Sequence, residues 1–184
     1  FTVYGTQLFW PLRTPPEMWS SVFIIDPLYT AWLLVACVEA WFAREKRLAQ
    51  IALVVGLALS SAYLGWSLLA KNMVDRQADR DLAAIGLGAA PRFSVPMPFN
   101  TLLWRVVAMT PQGYVIADRS LVADHGPMRF QGHASNTQAL KQARGIASVD
   151  QLVWFNRGFM RSQIVGDELV LSDLRMGMEP DYNF

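Results

Sequence analysis

The longest unbroken apolar stretch runs from Leu48 to Ala70, where no residue is charged and Gln50 is the only strongly polar side chain. About 20 apolar residues, rising 1.5 Å each, cross the ~30 Å hydrocarbon layer of a bilayer. A soluble helix of that length normally keeps one polar face, and this stretch has none, so it predicts a membrane span. Gly56 with Ser60, and Ser61 with Gly65, are small residues at four-residue spacing, which lets another helix come close. The expected partner is Val22 to Ala43, apolar except at Asp26 and Glu39, with Asp26-Pro27 supplying an N-cap and a first-turn proline. The linker Arg44-Glu45-Lys46-Arg47 is so short that the helices must be antiparallel neighbours, and its basic residues favour the cytoplasmic side. Lys71 to Ile85 is charged but still helical, with Met73, Leu82 and Ile85 as scattered apolar points. The second helix is therefore expected to project beyond the bilayer until Gly86 and Gly88 end it.

Beyond residue 86 the pattern changes. Pro91, Pro96 and Pro98 forbid a regular helix, so residues 87–100 read as an ordered linker. Leu102 to Met109 and Tyr114 to Leu121 are β-rich runs joined by Thr110-Pro111-Gln112-Gly113, a hairpin with a type I turn composition. Thr137 to Arg144 suits a short helix ended by Gly145. Ser148-Val149-Asp150-Gln151 has a capping-box pattern opening a helix that stops at Gly158. Phe159 to Val165, the turn Gly166-Asp167, and Glu168 to Asp173 form a second hairpin. Hairpins and helices in this order predict α+β rather than alternating α/β. The expected core is Leu103, Val107, Ile116, Leu152, Phe155, Ile164, Leu169 and Leu171, with Trp154 beside it. The expected organisation is an interfacial segment over 1–21, a transmembrane helical hairpin over 22–86, the linker, and an extramembrane α+β domain over 101–184.

Composition fits this division. The chain has 184 residues, 53% of them hydrophobic, and 16 basic against 15 acidic side chains. A mean hydropathy of +0.22 points to a part that does not face water, and the near-neutral charge gives no reason to expect nucleic acid. The single cysteine, Cys37, lies in an apolar run and reads as a small hydrophobe. The first ten residues have neither the basic start nor the apolar core of a signal peptide, and a start at Phe1 is read as a fragment.

Few residues point to chemistry. His125 and His133 lie in a glycine-containing region without ligand spacing, which favours surface or structural roles. There is no phosphate-binding glycine loop, CxxC pair or nucleophile elbow. Glu39 is expected to snorkel to the interface or to pair with Arg44 or Lys46. Phe9, Trp10 and Trp19 suit an interfacial aromatic anchor, an explanation that does not extend to Tyr4 and Thr6. Asp26, between Ile25 and Pro27, is explained without further assumptions as a plain N-cap, with a buried functional carboxylate as the alternative.

Taken together, YGTQLFWP, FIIDPLYT, PFNTLLWRVV, VWFNRGF and LSDLRMG resemble, in order and spacing, the YdjM-like family of membrane-bound metal-dependent hydrolases of bacterial inner membranes. The resemblance covers nearly the whole chain. It implies a divalent metal ion, zinc among the candidates, whose main ligands, a histidine pair and an aspartate, would lie ahead of Phe1. It also implies that Asp26 is a metal-site carboxylate, and that Thr2, Tyr4 and Thr6 follow the metal motif, Tyr4 and Thr6 orienting ligands or substrate. The expected protein is multi-pass, in contact with the bilayer and with further transmembrane helices, its last domain extracytoplasmic. A lipid or lipid-linked phosphoester would suit such a site. The rival expectation is non-enzymatic: a membrane-anchored binding or assembly subunit of a larger complex.

Overall fold

A computed structural model describes residues 2–12, 14, 16–43, 45–175, 177–178 and 182–183. Helix α1, Pro27–Phe42, begins at the predicted proline with Asp26 as N-cap, and α2, Lys46–Ala84, runs unbroken for 39 residues. The two are antiparallel: Asp26 meets Tyr63, Tyr29 meets Ser60, and Ala36 meets Gly56. A methyl group added at Gly56 would lie 2.3 Å from Ala36 Cβ and 2.8 Å from the Trp32 carbonyl oxygen. Glycine is therefore required there by the approach of the helices, as the Gly56/Ser60 spacing predicts. Gly65, from the other small pair, meets nothing within 4 Å. Among the described residues only α2 is long and apolar enough to cross a membrane. The 16 residues of α1 reach only about 24 Å, short of the hydrocarbon thickness, so of the two helices expected to span, α2 alone is a candidate by length.

The 39 residues of α2 measure about 58 Å, nearly twice that thickness. Its outer half does not simply project. Ser67, Ala70, Val74, Ala78 and Leu82 form a buried stripe at three- and four-residue spacing. Ala70, Val74 and Ala78 pack on Trp104, Val106, Ala117 and Met128 of the following domain. The points singled out from the sequence behave differently: Leu82 is buried, whereas Met73 and Ile85 are exposed. Small side chains on the stripe let the helix axis approach the sheet, a signal weaker in hydropathy than the leucines around it. The helix ends as expected at Gly86, where the Leu87 amide bonds back to the Leu82 carbonyl at 2.7 Å.

Four strands form one antiparallel sheet in the order β1 (Arg92–Pro96), β2 (Leu103–Thr110), β3 (Gly113–Ser120), β4 (Gln131–Ala134). The proline-rich stretch read as a linker thus supplies an edge strand. Prolines are tolerated there because an edge leaves one side of the ladder unpaired. The β2–β3 hairpin lies where the sequence places it, with boundaries one residue away. Gly113 is fixed by β4: a Cβ there would lie 2.1 Å from the His133 carbonyl oxygen.

One face of the sheet takes α2. The other buries Phe93, Val107, Tyr114 and Ile116 with Phe159 and Leu174. Burial on both faces explains why β2 and β3 read as nearly continuous apolar runs. The remaining elements are α3 (Thr137–Ala143), α4 (Ala147–Asn156), the hairpin β5–β6 (Met160–Val165, Glu168–Asp173) and the short pair β7–β8 (Gly177–Met178, Tyr182–Asn183). Helix α4 starts before Ser148, so no capping box forms. Asp150 instead accepts the Gly145 amide and pairs with Arg144. Of the expected core, Val107 and Ile116 are buried, and Leu152, Phe155, Leu169 and Leu171 are half-buried. Ile164 (58% exposed), Leu103 (37%) and Trp154 (38%) are on the surface, Ile164 because β5–β6 stands outside the main sheet. The tryptophan that fills the core is Trp104.

Gly56→Ala should separate α1 from α2. We expect a loss of about 1–3 kcal/mol from overpacking, read as a lowered Tm in detergent, while Gly65→Ala leaves Tm unchanged or slightly raised.

Candidate functional site

Asp26 is 3% exposed and binds on both oxygens. Oδ1 accepts the amides of Leu28 (3.0 Å) and Tyr29 (3.3 Å), the N-cap expected of Asp-Pro. Oδ2 accepts the Tyr63 hydroxyl at 2.7 Å. Thr101, ahead of β2, donates to the Tyr63 oxygen at 3.3 Å and accepts from Trp66 Nε1 at 3.2 Å. The Thr101 carbonyl accepts the indole N–H of buried Trp104 at 2.8 Å. Donors thus run in one direction, Trp66 to Thr101 to Tyr63 to Asp26, and end on the carboxylate, so each bond polarises the next. The chain ties together the start of α1, the middle of α2 and the entry to the sheet. Tyr63 carried a detectable signal, a phenol inside an apolar span, and polar groups there need partners. Thr101 carried none.

The amino-terminal residues lie apart from this cluster. Tyr4 and Thr2 are half-buried and Thr6 is exposed. Thr6 exchanges two backbone hydrogen bonds with Glu17 (3.0 and 2.9 Å), closing a loop that presents Leu8, Phe9 and Trp10 to the outside. No hydrogen bond joins Thr2, Tyr4 or Thr6 to Asp26. Arg157, after α4, donates to the Pro16 carbonyl and holds the base of that loop against the domain.

A second polar cluster, not legible in the sequence, joins outer α2 to β1. Arg92 binds Asp79 (2.7 Å) and Asp75 (2.9 Å), Ser94 donates to Asp75 at 2.6 Å, and Lys71 donates to the Ser94 hydroxyl at 2.6 Å. Burial works against the Arg92 charge, but its bonds to Asp79 and Asp75 outweigh that and raise its pKa above the ordinary arginine value. A cavity of about 350 Å³ lies beside this cluster and is lined in part by Ser20. The buried Ser20 hydroxyl has no partner and its backbone is left-handed, φ 49°.

His133 stacks on Tyr114 with ring centroids 5.2 Å apart, and His125 is exposed. Glu39 is exposed; of its expected partners, Arg44 lies outside the described residues and Lys46 makes no ion pair with it.

Among the described residues no group of three or more His, Cys, Asp or Glu side chains could hold an ion. An ionised carboxylate offers about four acceptor sites; Asp26 uses them on two amides and one phenol, leaving room on Oδ2 for one further contact.

Tyr63→Phe should cost about 1.5–3 kcal/mol, the usual worth of a hydrogen bond to a charged group. Asp26→Ala, which also removes the cap, should cost more. In thermal unfolding the double variant should fall short of the summed losses, by a coupling of about 0.5–3 kcal/mol; strict additivity would mean the 2.7 Å contact carries no energy.

No curated protein and no solved structure matches the chain. Residues 1–74, which hold α1, the apolar part of α2 and all of the Asp26 cluster except Thr101 and Trp104, match the family model described as YdjM inner membrane protein.

Proposed function

We propose that this is a bacterial inner-membrane protein in which α1 and α2 both enter the bilayer as a hairpin, the basic linker between them on the cytoplasmic side. The α+β domain then lies on the extracytoplasmic side. The carrying observation is that the Asp26 chain is committed to joining α1, α2 and the sheet. That makes the domain a fixture of the hairpin rather than a tethered module. On this reading the protein is a membrane-anchored platform that binds or assembles other membrane components.

A second reading is favoured by the acceptor site left on Asp26 and by the resemblance of the FIIDPLYT block to membrane-bound metal-dependent hydrolases. Here Asp26 supports a divalent ion at the outer membrane surface, with Tyr4 and Thr6 toward an amphiphilic ester or phosphoester. Such an ion would serve as a Lewis acid and as a source of hydroxide near neutral pH. This chain's own contribution is narrower: the Tyr63 donor and the α1 amides hold the Asp26 carboxylate in one orientation. The other donors would have to come from outside the described residues.

Metal analysis of the full-length protein in detergent separates the two. If the hydrolase reading is right, wild type carries bound metal and Asp26→Asn, which keeps size and cap, loses about 10- to 100-fold in metal affinity. Normal metal content in Asp26→Asn, or none in wild type, supports the platform. Membrane placement is checked separately. Leu57→Cys and Leu59→Cys, each in a Cys37→Ala background, should resist an impermeant thiol reagent in intact membranes, and free labelling of both would remove the span.

A further inference from the structure

The connection between β1 and β2, residues 97–102, is where the α+β domain meets α2 deepest in its apolar stretch. Thr101 binds Trp66 and Tyr63. If 48–70 spans the bilayer, those residues lie roughly 6 and 10 Å inside its outer end. A loop docked at that depth has lipid around its free side.

Its side chains and backbone both suit that surrounding. Phe99 is 59% exposed, and Leu102 and Leu103 are also exposed, while Trp104 beside them is fully buried. Phe99 meets Phe23 edge-on at 6.0 Å, next to exposed Ile24 and Ile25 ahead of α1. Its backbone is left-handed, φ 64°, a conformation that bulky side chains rarely adopt, and the ring is kept out of both sheet cores.

Backbone facing hydrocarbon must satisfy its polar groups internally. The Asn100 side chain does much of this. Its oxygen accepts the amides of Leu102 (3.0 Å) and Leu103 (2.7 Å), and its nitrogen donates to the Pro98 carbonyl at 3.0 Å. The carbonyls of Thr101 and Leu102 are taken by the Trp104 indole and the Leu121 amide.

We propose that the β1–β2 loop is inserted in the outer leaflet, with Phe99, Leu102 and Leu103 against the acyl chains beside α2. The inference rests on the proposed placement of 48–70 in the bilayer, and continuity with that lipid-facing helix identifies lipid as the occupant. The extramembrane domain is thereby partly monotopic.

The test uses the full chain with Cys37→Ala, reconstituted in phosphatidylcholine vesicles. Single cysteines at Phe99, Leu102, Leu57 and Asp167 carry an environment-sensitive fluorophore, and nitroxide-bearing lipids serve as quencher. Labels at Phe99 and Leu102 should be blue-shifted and lose most of their emission, as Leu57 does, while Asp167, in the exposed β5–β6 turn, keeps its emission. Either loop position suffices if the other variant does not fold. Water-like, unquenched emission at both loop positions with Leu57 quenched would overturn the loop insertion and leave the span standing. Blue-shifted but unquenched emission would mean that protein, such as a second copy, covers the loop, and would equally overturn it. An unquenched Leu57 would remove the span and the inference together.

Discussion

One helix has to satisfy two solvents. Helix α2 passes without a break from an apolar stretch to a stripe of small residues pressed on a β-sheet. Both demands are met on a single rod, so the azimuth of the stripe fixes which way every other residue of the helix points. Gly56 and Ser60 face α1, and Ser67, Ala70, Val74 and Ala78 face the sheet. The two partners cover different lengths of the rod, and Tyr63 lies at the changeover. The hydrogen-bonded chain from Trp66 to Asp26 belongs there because α1 begins and the loop before β2 ends beside the unbroken middle of α2, and polar groups at those termini need partners.

Energetically the junction is asymmetric. The apolar contacts along α2 are non-directional and would tolerate some sliding. The Asp26 and Arg92 clusters would not, because a buried carboxylate that loses its donors costs more than the bond itself contributed. Packing holds the domain to the helix, and the polar clusters set its register. The same argument keeps the readings of Asp26 compatible: a cap, a joint and a potential ligand use different acceptor sites of one carboxylate.

The sequence made the local features legible. Asp26-Pro27 marked the start of α1, Gly56 and Ser60 the helix contact, Thr110 to Gly113 and Gly166-Asp167 the hairpin turns, and Gly86 the end of α2. Each is a short-range signal with its own backbone reason. The docking of outer α2 on the sheet was hidden, because Ala70, Val74 and Ala78 lie among charges whose partners, Arg92 and Ser94, come from a strand disguised by prolines. The core list failed where alternation was taken as burial: Ile164 alternates correctly on a hairpin that the main sheet does not cover. The candidate site was half legible. Asp26 could be named from its neighbours and Tyr63 stood out as a phenol in an apolar stretch, but their pairing and the part of Thr101 could not be read, because hydrogen bonds across 37 and 38 residues leave no local trace.

The unbroken course of α2 also bears on mechanics. A helix whose apolar length differs from the local bilayer thickness responds chiefly by tilting. In a protein with a flexible tether, that tilt would end at the membrane surface. Here the rod continues along one face of the sheet and is clamped to it by Arg92 and Thr101, so the domain must lean with it. With α2 in the bilayer as proposed, lateral stress would become a torque on the folded domain, and the angle at which that domain presents itself would be set in part by the lipid.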